Sequence, residues 1–292
     1  MSDLDFSKPA PAQPPRPVQP PPFYNAAAAM DFFRAAGKAE SFAAGAKIFA
    51  EDDKGGGLFG KRDRMYLLLT GEVEMSAQGK PIGVVRVGEI FGEMAAIAQA
   101  ARTATAVAKG ACTVIGMDDK QFLAGLQQKP EFALMMMSVI NSRLRSTITR
   151  LQANRALHAG EAKEVPVFDK KMLAALVPAL GGERATVRVA AGKTIMQEGT
   201  TGNVMYVVLE GRVTISIKGG VVGRAGAGGV FGEMALVDQS PRAASALAET
   251  DCAFLAINRE AFLHLVKTSP AFGAALLAGI AERAKEMAGR NK

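Results

Sequence analysis

Two short stretches of this chain carry side chains suited to binding a small charged ligand. The stretch FGEMALVDQSPRAAS, Phe231–Ser245, places Glu233 and Arg242 on either side of a short apolar segment and a loop. An arginine guanidinium matches the oxygens of a phosphate, whereas a glutamate accepts hydrogen bonds from hydroxyl groups but cannot neutralise an anion. The pair therefore predicts a site for an anion that also carries hydroxyl groups, with a structural Glu233–Arg242 salt bridge as the alternative.

The same arrangement occurs twice. The stretch FGEMAAIAQAARTAT, Phe91–Thr105, has the same length and opening, with Arg102 at the equivalent place. We name it cassette A, and the stretch described above cassette B. The chain repeats without a gap from Met65 to Phe132 at an offset of 140, and the first copy has seven extra residues at the Glu51–Asp63 loop. A period this long indicates a duplicated domain, and repetition of the whole loop at an unchanged length favours a ligand site over a salt bridge.

Short strands separated by glycine turns must position each cassette. In the first copy these are AGAKIF, MYLLLTGEVEMS, PIGVVRVGEIF and TATAVAKGACTVIGMD. Many short strands at regular spacing predict a closed β-barrel or jelly roll. Helices are predicted around them at Ala26–Ala36 (capped by Asn25 and ended by Gly37), from Lys120 to Pro130, at 131–157, at Phe168–Leu180, at Arg259–Lys267 and after Pro270.

The helix predicted over 131–157 carries one continuous apolar stripe. Its members recur every three or four residues and are Phe132, Met136, Ile140, Leu144, Ile148 and Leu151. The stripe is interpreted either as a domain-packing face or as the seam of a homodimer.

Length and composition limit the function classes. The 292 residues suffice for two domains, predicted as a proline-rich disordered tail (1–24), a first domain (25–157), a linker (158–166) and a second domain (167–292). The apolar runs are too short to span a membrane and no secretory leader is evident, so a cytoplasmic protein is expected. The net charge of +7 is spread along the chain and no DNA-reading element is found, which argues against nucleic-acid binding.

Metal chemistry and catalysis have little support in the sequence. A cupin-type enzyme needs histidines and carboxylates clustered on its strands, and the predicted strands carry no histidine. The two cysteines are interpreted as buried core thiols. We therefore expect no metal site, no catalytic residues, no cofactor and no enzymatic activity.

Both copies resemble the cyclic nucleotide-binding domains of protein kinase A regulatory subunits and of the bacterial catabolite activator protein. The resemblance covers roughly 32–151 and 168–288 and includes the A-G-x-x-I strand, the M-Y-x-x-x-x-G strand pair and the F-G-E-M-A to R-x-A cassette. It implies a mainly β fold with α-helices, in which two jelly rolls (double-stranded β-helices) are each flanked by N- and C-terminal helices.

The resemblance also implies which residues bind the ligand. The glutamates would bind the ribose 2′-hydroxyl and the arginines the cyclic phosphate, with backbone donors beside them. The implied set is Gly92, Glu93, Met94, Arg102 and Thr103 in cassette A, and Gly232, Glu233, Met234, Arg242 and Ala243 in cassette B. Ser146 and Thr147 on the long helix are expected base contacts by similarity to the activator protein. With no tryptophan in the chain, Met287 or a leucine would have to cover the base.

The two sites differ at the residue after the arginine. Cassette B resembles cAMP cassettes, whereas Thr103 in cassette A is similar to cassettes that accept cGMP, so we expect cAMP at the second site and cAMP or cGMP at the first. The expected function is a stand-alone receptor that changes its affinity for an unknown effector protein when ligand binds. The alternative is an interaction or scaffold module in which one or both cassettes lack ligand.

Overall fold

The computed structural model describes residues 24–53, 64–153, 164, 166–238 and 241–289. The first repeat contains α1 (Ala26–Ala36), β1 (Lys38–Phe42), β2 (Lys47–Phe49), β3 (Met65–Thr70), β4 (Val73–Ala77), β5 (Lys80–Val85), β6 (Ile90–Phe91), α2 (Glu93–Ala98), β7 (Thr105–Ala108), β8 (Cys112–Met117), α3 (Asp119–Gln128) and α4 (Glu131–Ala153). The second contains α5 (Lys170–Ala179), a 3₁₀ turn (Gly182–Ala185), β9 (Thr186–Val189), β10 (Thr194–Met196), β11 (Val204–Glu210), β12 (Val213–Ile217), β13 (Gly220–Ala225), β14 (Val230–Phe231), α6 (Met234–Asp238), β15 (Ser245–Ala248), β16 (Cys252–Asn258), α7 (Arg259–Thr268) and α8 (Pro270–Gly289).

The described strands of each repeat form two antiparallel sheets of four strands. Their orders are β1-β8-β3-β6 and β2-β7-β4-β5 in the first repeat, and β14-β11-β16-β9 and β10-β15-β12-β13 in the second. Strands that follow one another in the chain often lie in different sheets, as in a jelly roll. The predicted fold class, mainly β with flanking helices and duplicated, is confirmed. The exact domain boundaries stay predictions, and the tail and most of the linker lie outside the described residues.

Strand β1 is a feature that the sequence reading missed. It pairs with β8 at the edge of its sheet, from Lys38 opposite Gly116 to Phe42 opposite Cys112. Its side chains are exposed or half-buried, because an edge strand over one sheet face buries little of itself. The segment therefore lacks the apolar alternation by which strands are recognised.

The phenylalanine that opens each cassette anchors it in the core between the sheets. Phe91 and Phe231 are both buried. Phe91 stacks on Tyr66 with ring centroids 5.3 Å apart, and Phe231 stacks on Tyr206 at 5.0 Å. Aromatic pairs at this separation add to the stability gained by burial. The residues that follow, which carry the glycine and the glutamate, are thereby held at a defined place at the end of a strand.

Side-chain caps set the first residues of three helices. The Asn25 side chain accepts a hydrogen bond from the N–H of Ala28 and begins α1. Asp118 forms a reciprocal capping box with Gln121 at the start of α3. Helix α5 begins at Lys170, two residues later than predicted, because Asp169 caps it. Capping side chains satisfy the first N–H groups of a helix, so they set where it starts.

The apolar stripe of α4 is buried within the chain. Phe132, Met136, Ile140 and Leu144 are all buried and belong to one hydrophobic cluster that also includes residues of α8. Helix α4 packs against α8, so the domain-packing face is the alternative that this arrangement supports. A homodimer through 131–157 stays a prediction. In the described part of the chain no single helix is long and apolar enough to cross a membrane, although α7 and α8 together, bent by 116°, reach that length and composition.

Candidate ligand-binding site

The second residue of each cassette is a glycine in a left-handed backbone conformation. Gly92 has φ 70° and Gly232 has φ 76°. A Cβ atom added at Gly92 would lie 2.9 Å from Nη1 of Arg102, and one added at Gly232 would lie 2.7 Å from Nη1 of Arg242. Both the conformation and the close approach of the guanidinium therefore require glycine. The predicted glycine and arginine of each cassette are in contact.

The two cassette arginines occupy equivalent positions. Arg242 donates from Nη1 to the carbonyl oxygen of Gly232 and from Nη2 to that of Val204, both at 2.9 Å. Arg102 donates in the same way to Gly92 (2.7 Å) and Arg64 (2.8 Å). Both side chains are buried, and burial lowers the pKa of Arg242, while Tyr206 and Glu233 act in the opposite direction.

The cassette glutamates are also buried, and the partner of Glu233 was not predicted. Arg283 on α8 donates from Nη1 to Oε1 of Glu233 and from Nη2 to the carbonyl oxygen of Val230, both at 2.8 Å. The salt-bridge alternative for cassette B therefore fails among the described contacts, because Glu233 pairs with Arg283 while Arg242 holds backbone carbonyls. Glu93 has no exposed surface, and Glu233 is only 3% exposed.

A cavity of about 150 Å³ opens beside cassette B. Its lining includes all five residues predicted for this site, which are Gly232, Glu233, Met234, Arg242 and Ala243. Ile215 and Val222 line it from the sheet, and Met287, named above as a candidate cover, lines it from α8. The cavity thus combines a polar end with an apolar body, as small-molecule sites do.

Cassette A holds its predicted residues in the same fold, with local differences. Gly92, Glu93 and Arg102 are brought together as in cassette B, and Arg102 lies 4.3 Å from the ring centre of Phe49, a cation–π contact. Met94 packs against the core and Thr103 is exposed. The backbone of Ser146 and Thr147 lies in α4, but their side chains lie outside the described residues, so their predicted base contacts are untested.

Sequence reasoning missed Arg283 and the contribution of α4 to the cavity. Arg143 and Arg283 stand at the same offset of 140 as the cassettes, so the repeat carried a signal for Arg283. Leu144 and Ile148 of α4 also line the cavity beside cassette B. No local pattern could reveal this, because the two residues belong to the other repeat.

Comparisons with known proteins indicate the family of both repeats. A model of the cyclic nucleotide-binding domain family matches residues 39–129 and 186–269, one segment in each repeat. The chain is 26% identical over 231 residues to a cAMP-dependent protein kinase regulatory subunit of Yarrowia lipolytica, covering 76% of this chain and 52% of the relative. It is 38% identical over 106 residues to a cyclic nucleotide-gated potassium channel of Rhizobium etli, covering 36% of this chain and 29% of the channel.

Among solved structures, the regulatory domain of Toxoplasma gondii PKA with cAMP aligns over 89% of each chain at 23% identity, with a TM-score of 0.31. The chain spans about half the length of the kinase regulatory subunits from Yarrowia lipolytica and Aspergillus niger.

Proposed function

The chain belongs to the cyclic nucleotide-binding domain family, and on that premise we propose that it is a cyclic nucleotide receptor with one site at each cassette. We name these sites A and B after their cassettes. The observation that carries the proposal is the duplicated geometry of the cassette arginines. In both repeats a buried guanidinium is held by the glycine carbonyl of its own cassette and by a second carbonyl at the equivalent position.

The hydrogen bonds to the two carbonyls hold the guanidinium of Arg242 in one orientation at the lining of the cavity. A guanidinium has five N–H donors, and the two carbonyls engage one on each terminal nitrogen. The remaining donors suit the oxygens of a cyclic phosphate, and a side chain that is already fixed loses little conformational entropy on binding. Glu233 keeps acceptor capacity beyond its bond to Arg283, which suits the ribose 2′-hydroxyl.

The apolar body of the cavity suits a purine, so we propose cAMP at site B. At site A we propose cAMP or cGMP, because Thr103 could offer a hydroxyl to the guanine amino group. Thr103 is exposed, which leaves its hydroxyl accessible to a ligand. No cofactor besides the nucleotide is part of this proposal.

The output is proposed to be a change in affinity for an effector protein. The relatives named as kinase regulatory subunits are about twice as long as the matched region. Their names indicate regulation rather than catalysis, in keeping with a non-enzymatic role for this chain. Ligand binding would shift α4 and α8, which pack together, toward the state that the ligand prefers. A scaffold with ligand-free cassettes is the competing function, and a cytoplasmic location stays a prediction.

Thermal unfolding with and without nucleotide tests the proposal. At a ligand concentration of about a hundred times Kd, one occupied site should stabilise the protein by roughly 2.7 kcal/mol. Arg242→Ala and Arg102→Ala should each abolish the stabilisation that one site contributes. This is measured for each variant as the difference in melting temperature with and without nucleotide. Arg188→Ala is the control, because that side chain is 63% exposed and lies on β9, away from the cavity lining.

Two outcomes would contradict the proposal or part of it. If neither cAMP nor cGMP shifts the melting temperature of the unaltered chain, the receptor proposal is rejected in favour of the scaffold alternative. If cGMP binds site A equally well in Thr103→Ala, Thr103 does not determine the choice of base.

A further inference from the structure

The cavity beside cassette B is built from both repeats. Leu144 and Ile148 of α4, a helix of the first repeat, line it together with residues of the second. Leu144 is buried and Ile148 is half-buried. The two residues are one helical turn apart and therefore lie on the same face of α4.

The cassette helices show the same exchange between repeats. Helix α6 of cassette B packs against α4, and α2 of cassette A packs against α8. Each long helix thus contacts the cassette of the other repeat, while α4 and α8 also pack against one another. The position of α4 at the cavity wall therefore follows from the packing between the two repeats.

The chemistry of the lining indicates which part of a ligand would meet α4. Arg242 and Glu233 provide the polar end, which suits the cyclic phosphate and the ribose. A planar base has two faces that need apolar contact, and the remaining lining offers two apolar surfaces. One is formed by Ile215 and Val222 on the sheet, and the other by Leu144, Ile148 and Met287 on the helices.

We propose that the first repeat supplies part of the base-binding surface of site B through Leu144 and Ile148, so that this site is complete only when α4 lies against α6. The inference rests on the proposed function, since it assumes a nucleotide at cassette B. It makes the occupancy of site B depend on the position of a helix from the other repeat. A ligand at site B contacts both repeats and stabilises their packing.

Substitution of Ile148 in the full chain tests this inference. Calorimetric titration with cAMP gives the Kd of each site, and Arg242→Ala identifies the binding step that belongs to site B. Ile148→Ala should weaken cAMP at site B by about tenfold, because it removes apolar contact with the base. Ile148→Leu should keep most of the affinity, since it keeps the apolar volume. Glu131→Ala is the control, because this exposed residue lies in the first turn of the same helix.

A smaller base separates direct contact from an effect on the fold. Cyclic CMP carries a pyrimidine, which reaches less of this surface, so Ile148→Ala should weaken cyclic CMP less than cAMP. The inference is overturned if Ile148→Ala and Leu144→Ala both keep the site-B Kd for cAMP within about twofold of the unaltered chain. It is also overturned if cAMP and cyclic CMP lose the same factor. Absence of cAMP binding in the unaltered chain would instead reject the proposed function.

Discussion

Arg283 links α8 to cassette B by hydrogen bonds. Its replacement by alanine should therefore destabilise the protein even without ligand. Its guanidinium makes two hydrogen bonds of 2.8 Å, one to the carboxylate of Glu233 and one to the carbonyl of Val230. The Glu233 side chain is only 4% exposed, whereas that of Arg283 is 37% exposed. Water can therefore solvate part of the Arg283 guanidinium, but it can replace little of the hydrogen bonding that the Glu233 carboxylate receives from Arg283.

The expected cost of Arg283→Ala is about 3 kcal/mol. Hydrogen bonds with a charged partner contribute roughly 1.5–3 kcal/mol each, and a buried carboxylate left without its partner costs several kcal/mol. The partial exposure of Arg283 lowers the sum of these terms. Glu233→Gln removes the buried charge, so the double variant should be less destabilised than the two single effects predict. We expect a coupling energy of about 1–2 kcal/mol.

Urea unfolding at pH 7, followed by far-ultraviolet circular dichroism, measures these free energies. Lys285→Ala is the matched control on the same helix, because its ion pair with Glu282 is long, at 4.0 Å, and both partners are nearly half exposed. Such a pair contributes little, so the control should lose less than about 0.5 kcal/mol. A loss of under about 0.5 kcal/mol in Arg283→Ala, or strictly additive effects, would refute the reasoning about this contact.

Two further predictions concern stability away from the ligand. Asn141 is buried, and neither polar atom of its side chain has a hydrogen-bond partner within the described residues. Asn141→Leu should therefore raise the melting temperature by an amount that corresponds to about 1–3 kcal/mol, and a lower melting temperature would contradict this prediction. The pKa of Glu249 is lowered, chiefly because the Thr214 hydroxyl donates a hydrogen bond to its carboxylate and also because Arg224 and Arg212 lie nearby. The ionised Glu249 therefore stabilises the folded protein at neutral pH, and this stabilisation is lost as the pH falls below about 4.5. In Glu249→Gln, the urea concentration at the unfolding midpoint should therefore fall less steeply between neutral and acid pH than in the unaltered chain. The same pH dependence in both proteins would contradict this prediction.

Much of the fold could be predicted because its signals are local. Asn25 and Gly37 mark the ends of α1, as predicted, and the glycine of each cassette stands just before a short helix. The offset of 140 revealed the duplication, and with it the equivalence of Arg102 and Arg242. Strand β1 was missed, since an edge strand that buries little has no clear apolar period.

The sequence by itself determined the residue types and spacing of both cassettes, their duplication and the family to which they belong. These properties depend on neighbours along the chain, which a sequence displays directly. Only the tertiary structure decided that Glu233 pairs with Arg283 and that α4 lines the cavity of the other repeat. Such contacts join residues far apart in the chain, and they depend on how α4, α6 and α8 pack. An apolar stripe shows that a helix face is buried but does not show which element covers it.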